Sequence, residues 1–266
     1  MGLFDPNRDS FHVGPAYQTL MRELGLDARG VFDDRRILPW RKLPDRENCT
    51  LDEYIDGTKV RLHVKRYPRS ASPTTADLEQ AGYQLLVDAG IPAAPLVAWG
   101  VLTDGRSFTI WQDLTGFTPG DKLVEQGTAF ESVVAPTAEL AAKLHTAGLH
   151  HRDLYLCHFM IDPALLAAAG HVPAVQLIDT ARVRRLPGWP LRRRWIVKDL
   201  SQFWYSTTKL SVTDDQRDRW LAIYAKERAV RPGSLRGSIV RKARAIRRHD
   251  ASLNASQPSR NVSIPT

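Results

Sequence analysis

One stretch concentrates the reactive side chains of this chain: His150-His151-Arg152-Asp153-Leu154-Tyr155-Leu156-Cys157-His158-Phe159. It follows a segment of helical periodicity, residues 131–147, where Val133, Thr137, Leu140 and Leu144 recur at steps of three and four before Gly148. A polar, His-rich loop over 149–153 comes next. The apolar run 154–161 then reads as entry into a pair of buried strands. Further on, residues 175–178 read as a short buried strand that ends at Asp179.

Two carboxylates, Asp153 and Asp179, are thus carried by loops next to buried strands. Phosphoryl transfer needs such a pair, one to orient the attacking hydroxyl and one to hold Mg2+ on the phosphates. His151-Arg152-Asp153 is also the His-Arg-Asp signature of kinase catalytic loops. Three residues alone are a weak signal, and the order of other residues strengthens it. Residues 50–55 and 58–67 are strand-like runs around Asp56-Gly57, a hairpin signal because the turn needs positive φ. In the second run Val60, Leu62 and Val64 alternate with Arg61, His63 and Lys65. Residues 74–88 read as a helix with Thr74 or Thr75 as cap, Asp77 and Glu79 in its first turns, and Gly90 after its end. A Lys on a strand followed by a Glu on the next helix is the order of a phosphate-binding Lys and its anchoring carboxylate.

Outward from these, residues 36–43 read as a short strand, and 97–102 and 107–112 as a second hairpin around Thr103-Asp104-Gly105-Arg106. Residues 196–205 and 214–226 read as helices. Strands dominate the first part and helices the second, which suggests an α+β chain of two lobes, and with the kinase-type order of Lys65, Glu79, Asp153 and Asp179 a bilobal protein-kinase-like fold is expected. Its divisions are an N-terminal extension over 1–35, a small β-rich lobe over 36–112, a helical lobe over 113–228 and a basic, partly disordered tail over 229–266.

The chain resembles the lipopolysaccharide core kinases, the Kdo and heptose kinases of the protein-kinase-like superfamily. The resemblance rests on residues 151–159, on Leu177-Ile178-Asp179-Thr180-Ala181-Arg182, on Arg194-Trp195-Ile196-Val197-Lys198-Asp199-Leu200 and Tyr205-Ser206, and more loosely on Glu79, Gly90-Ile91-Pro92 and Val97-Ala98-Trp99-Gly100. It covers roughly residues 36–228. It implies that Asp153 orients or deprotonates a sugar hydroxyl and that Asp179 binds Mg2+. Lys65 would meet the ATP phosphates and pair with Glu79, and Gln112, Asp113 and Leu114 would meet adenine through backbone groups. Asp199 would hold the catalytic-loop backbone, with His151 and Arg152 as structural support. His158 stands where protein kinases carry a second metal-binding Asn, and imidazole is a poor ligand for Mg2+. Thr180-Ala181 replaces Phe-Gly, so no Phe-based activation switch is expected. The phosphate-covering loop is expected at Pro44-Asp45-Arg46-Glu47-Asn48-Cys49, without a glycine to let its backbone approach phosphates.

The chain has 266 residues with 37 basic and 29 acidic side chains, a net charge of +8. Such a balance bears on partners rather than fold and favours an anionic ligand. Arg182, Arg184, Arg185, Arg192, Arg193, Arg194 and Lys198 form an acid-free basic segment. It reads either as a solvated surface or as the site of an anionic glycolipid or sugar acceptor, with Arg182 and Arg194 as the contacts. Residues 229–249 hold seven Lys or Arg and no acid around Leu235, Ile239, Val240 and Ile246. This reads as a basic amphipathic helix on an anionic membrane surface, or equally as a loosely ordered tail. Cys49 and Cys157 form neither a disulfide framework nor a zinc spacing, which suits a reducing cytosol. No signal peptide or membrane span is read, so the expected place is the cytoplasm, peripheral on the inner face of the cytoplasmic membrane. Two other readings stay open: a different small-molecule phosphotransferase, of the aminoglycoside- or choline-kinase type, and a pseudokinase or basic binding module. Specific nucleic-acid binding has only charge behind it.

Overall fold

The structure is a computed structural model that describes residues 8–168 and 174–256. The α+β class expected from the sequence is what it shows. The chain divides into two compact units, one made of the residues up to Tyr83 with Ala94–Leu114, the other of Gln84–Ala93 with the residues from Thr115 onward.

The first unit is built on a six-stranded antiparallel sheet. Its elements are β1 (His12–Val13), α1 (Gln18–Leu24), α2 (Gly30–Asp33), β2 (Ile37–Leu43), β3 (Arg46–Ile55), β4 (Thr58–Tyr67), the first part of α3 (Thr75–Asp88), β5 (Leu96–Val101) and β6 (Ser107–Gln112), with strand order β1-β5-β6-β4-β3-β2. Asp56 and Gly57 both take positive φ, 48° and 75°, as a two-residue turn matched to strand twist requires. The alternation along β4 does what a period of two dictates. Leu62 and Val64 enter a core with Leu51, Phe108 and Ile110, while Arg61, His63 and Lys65 face the other way.

Residues 8–35 are not an appendage to this unit. β1 pairs with β5, and Met21, Leu24, Leu26, Ala28 and Val31 are buried in the same core. A Cβ at position 100 would lie 2.1 Å from the Ser10 carbonyl oxygen, so the close approach of this N-terminal segment requires Gly100. Residues 1–7 lie outside the described residues.

The second unit contains β7 (Thr118–Pro119), α4 (Gly120–Glu125), α5 (Phe130–Thr146), β8 (Leu149–His150), β9 (Phe159–Ile161), α6 (Pro163–Ala168), β10 (Val175–Leu177), β11 (Arg184–Arg185), α7 (Leu191–Thr207), α8 (Asp214–Glu227) and α9 (Gly233–Ser256). Its core joins Leu144, Leu154, Phe159, Leu177, Leu200, Phe203, Trp220 and Tyr224, with the Phe203 and Trp220 rings stacked at 4.0 Å. The run 154–161 is not a strand throughout. Leu156–His158 forms a 3-10 turn, and only Phe159–Ile161 pairs, with β10 on one side and β7 on the other.

The segment expected as a tail belongs to this unit as far as it is described. Leu235, Ile239 and Ala243 of α9 are buried in the core, a burial that stabilises by roughly 2 kcal/mol for each of the Leu and Ile side chains. Arg193 of α7 donates to the Ser234 carbonyl at 2.7 Å, and the Tyr205 hydroxyl donates to Asp250 at 2.7 Å. Leu235 and Ile239 of the apolar stripe that suggested a helix lying on a membrane are covered by the protein itself, and Val240 and Ile246 are half-buried against the same core. Residues 257–266 of the expected tail lie outside the described residues. No helix among the described residues is long and apolar enough to cross a membrane.

Candidate active site

The side chain of Lys65 reaches from β4 to α3, where Nζ lies 2.6 Å from Glu79 Oε1. The Glu79 carboxylate is 2% exposed and accepts from Thr109 Oγ1 at 3.0 Å and Trp111 Nε1 at 3.2 Å through its other oxygen. Lys65 pairs directly with Thr109 across the sheet, so one face of β4 and β6 supplies the cation and the two donors. A carboxylate this deep is tolerable only with its charge paired and its lone pairs filled.

At the end of β6 the expected adenine contacts are partly engaged. The Gln112 N–H donates to the Pro95 carbonyl at 3.0 Å and the Asp113 N–H to the Arg61 carbonyl at 3.2 Å. The Asp113 carboxylate lies 2.7 Å from His63 Nε2, and Gln112 Oε1 accepts from the Tyr17 hydroxyl at 2.7 Å. Two of the backbone donors assigned to adenine therefore serve the sheet, because β6 keeps its pairing to its last residue. Leu114 follows as a half-buried residue.

The expected glycine-free loop over 44–49 is also largely strand. Leu43 pairs with Arg46, which leaves a two-residue turn at Pro44-Asp45. Glu47 is held by Lys42 at 2.8 Å and by Arg66 at 3.8 Å from the strands on either side, so charged residues that looked like a loop continue the ladder.

In the second unit, Asp153 sits in a loop whose backbone is held by α7. Asp199, fully buried, accepts the His151 N–H at 2.7 Å on one oxygen and the Arg152 N–H at 2.9 Å on the other. The Arg152 carbonyl accepts from Lys198 Nζ at 2.5 Å and Gln202 Nε2 at 2.9 Å. Arg152 takes a φ of 71°, in the left-handed region, a strain of about 1–2 kcal/mol that its pinned N–H and carbonyl together impose. Gln202 also donates to Asp153 Oδ1 at 3.2 Å, and Arg182 Nη1 lies 3.0 Å from both Asp153 oxygens.

Burial by itself would push Asp199 upward. The hydrogen bond and charge of His145 and the His151 N–H outweigh it and hold Asp199 below its ordinary value. His145 Nε2 lies 3.3 Å from Asp199, with the Tyr224 hydroxyl 2.8 Å from its Nδ1. Burial pushes His150 down to about 4 and lowers His151 as well, so both rings stay neutral supports. His151 Nε2 bonds the Ile178 carbonyl at 3.0 Å and so ties this loop to the residue before Asp179. Cys157 is buried and its thiol is pushed up by burial, which makes it a packing residue rather than a nucleophile.

His158 lies between the two carboxylate loops. Its Nδ1 is 2.6 Å from the Asp153 carbonyl oxygen, which can only accept, so Nδ1 carries the proton. Nε2 faces Asp179 Oδ2 at 3.8 Å. Asp179 has a φ of 63°. Among the described residues no cluster of three or more His, Cys, Asp or Glu forms a closed metal cage. A single carboxylate fits Mg2+, which usually takes one or two carboxylates and completes its shell with water and substrate phosphates.

The structure therefore places Asp153, His158, Asp179, Arg182, His151, Arg152 and Asp199 together in the second unit, and Lys65, Glu79, Gln112, Asp113 and Leu114 in the first. Arg194 lines a groove with Arg152 and Arg182. Gln202 and His145 have no role in the sequence reading, and Ser206 enters it only within the Tyr205-Ser206 match. Part of their signal is in the sequence, since Asp199, Gln202 and Ser206 recur at helical spacing, and Ser206 Oγ accepts the Leu156 N–H at 3.0 Å.

Comparison with known proteins bears on the same residues. Residues 32–224 match the lipopolysaccharide kinase (Kdo/WaaP) family. The chain is 30% identical over 182 residues to the lipopolysaccharide core heptose(I) kinase WaaP of Escherichia coli (strain K12), which covers 62% of this chain and 64% of that protein. It is 29% identical over 93 residues to the protein of the same description from Pseudomonas aeruginosa, covering 35% of this chain and 34% of that one. The crystal structure of WbdD superposes with a TM-score of 0.46 at 17% identity, covering 78% of this chain and 50% of that one. The chain thus spans slightly less than two thirds of the E. coli relative. The match takes in the Lys65–Glu79 pair and the loops of Asp153 and Asp179, and with most of its length inside that match the chain belongs to the lipopolysaccharide kinase (Kdo/WaaP) family.

Proposed function

We propose that this chain is an ATP-dependent kinase that phosphorylates a sugar hydroxyl, heptose or Kdo, of a lipopolysaccharide core. The observation that carries the reading is the fixed Asp153: three side chains of α7 hold its loop, and Gln202 and Arg182 hold its carboxylate. Such a carboxylate can orient the attacking hydroxyl and take its proton. Arg182, beside it, offers positive charge where the transferred phosphoryl group gathers negative charge. Lys65, steadied by Glu79, suits the phosphates of ATP. Asp179, with His158 beside it, would hold Mg2+, which when bound draws charge off the phosphates.

The acceptor is an anionic glycolipid, since the surface next to Asp153 is cationic, and a cationic acceptor of the aminoglycoside or choline type would be repelled there. The place of action is the inner face of the cytoplasmic membrane, where such a glycolipid is made. The exposed charges of α9 add an attraction to anionic headgroups. The test is phosphate transfer from labelled ATP to extracted core glycolipid by wild type and Asp153→Ala. Transfer by wild type alone is expected, and equal transfer by both removes Asp153 from the mechanism.

A further inference from the structure

Beside Asp153 a groove of about 750 Å3 runs between α7 and α9. Arg152, Arg182, Arg193, Arg194 and Lys198 line it from one side, and Arg241 and Lys242 of α9 from the other. No acidic residue is among the described residues that line it. Trp189 stands at it, 88% exposed, and the Trp195 ring lies under the Arg152 guanidinium at 4.5 Å. The family match spans residues 32–224, so the wall made by α9 lies outside the matched region.

We propose that this groove is a subsite for a second anionic group of the acceptor, a phosphate or carboxylate on a saccharide, gripped by Arg241 and Lys242 together with Arg194. Seven cations in one groove repel one another, and an anion with several oxygens relieves that repulsion while taking planar, two-pronged contacts from Arg. Lys198 is pushed down to about 8, by burial first and by Arg182 next. Trp189 adds an exposed aromatic face, on which the C–H face of a sugar ring can pack. Arg182 links the groove to Asp153, so an anion in the subsite sets the distance from the anionic group to the hydroxyl presented for transfer.

The inference rests on the acceptor reading above, and its test uses no nucleotide, so loss of binding and loss of transfer are distinguished. The full chain is titrated with deacylated, phosphate-bearing core oligosaccharide, with the same oligosaccharide after removal of its phosphates and reduction of its carboxylates, and with phosphatidylglycerol vesicles. Three proteins are compared: wild type, Arg241→Ser/Lys242→Ser, and Arg247→Ser/Arg248→Ser, which removes the same charge from α9 outside the groove. The Arg241/Lys242 variant is expected to bind the anionic oligosaccharide on the order of tenfold more weakly than the other two. The neutralised oligosaccharide is expected to bind all three with similar weakness. Equal binding by all three, equal weakening by both double variants, or a difference seen only with vesicles overturns the proposal.

Discussion

Arg182 Nη1 stands 3.0 Å from both carboxylate oxygens of Asp153, one end of a cationic groove touching the proposed base. The pair is half-open to solvent on the Arg side, so its worth lies in position rather than in stability. Replacing Arg182 with Ala is expected to lower kcat/KM for an anionic acceptor by roughly ten- to a hundredfold, the range for loss of one positioned charge. Arg182→Lys should recover part of it, keeping the charge without the planar guanidinium. Steady-state kinetics with core glycolipid reads the difference, and an Ala variant as active as wild type leaves Arg182 without a role.

Asp199 is the keystone of the Asp153 loop. Asp199→Ala would leave the N–H groups of His151 and Arg152 unpaired in a buried place, a loss of about 3 kcal/mol. Urea unfolding should show the midpoint moving down. An unchanged midpoint would mean that the loop finds other acceptors.

Lys65 and Glu79 answer a different question, whether the first unit depends on a buried pair. Lys65→Met would leave the Glu79 carboxylate short of its cation and is expected to destabilise by roughly 3 kcal/mol, while Lys65→Met/Glu79→Gln should recover much of that. Neither variant is expected to transfer phosphate. Thermal melts of the single and double variants decide it, and additive losses would refute the coupling.

Lys198 brings a pH dependence. Its value lies near 8, below the ordinary 10.5, chiefly through burial. The unfolded chain therefore binds more protons between about 8 and 10.5, so stability rises with pH across that window. The groove meanwhile loses a positive charge as pH passes about 8, so the acceptor KM should rise there. Lys198→Met should flatten both trends, and persistence of the KM rise in that variant would assign it to another group.

His150 governs the acid side. Burial lowers it from 6.5 to about 4, so the unfolded chain takes up a proton first and stability falls as pH drops through that window. His150→Phe keeps the contact with Trp195, whose ring lies 4.9 Å away, and should lose stability less steeply there. Denaturant titrations at several pH values measure the slope.

Local chemistry announced much of this. The Asp56-Gly57 hairpin, the capped α3, the stripe of α5 and the order Lys65, Glu79, Asp153, Asp179 depend on residues close in sequence or on their order along it. The α+β class follows from those periodicities alone. Other features depend on what stands across space. A Leu235–Ile239 stripe fits a lipid surface or a helix equally well, and only the packing of α9 on α7 chose between them. Glu47 carries a loop-like charge, yet Lys42 and Arg66 on the strands either side pair with it. That Gln112 and Asp113 spend their N–H groups on the sheet, and that Gln202 reaches Asp153 from 49 residues away, is equally invisible in one dimension. Sequence by itself determined which groups exist and where the backbone turns, because those are short-range energies. Tertiary structure decided which groups meet, because burial and hydrogen bonding are settled by neighbours that the chain brings together only on folding.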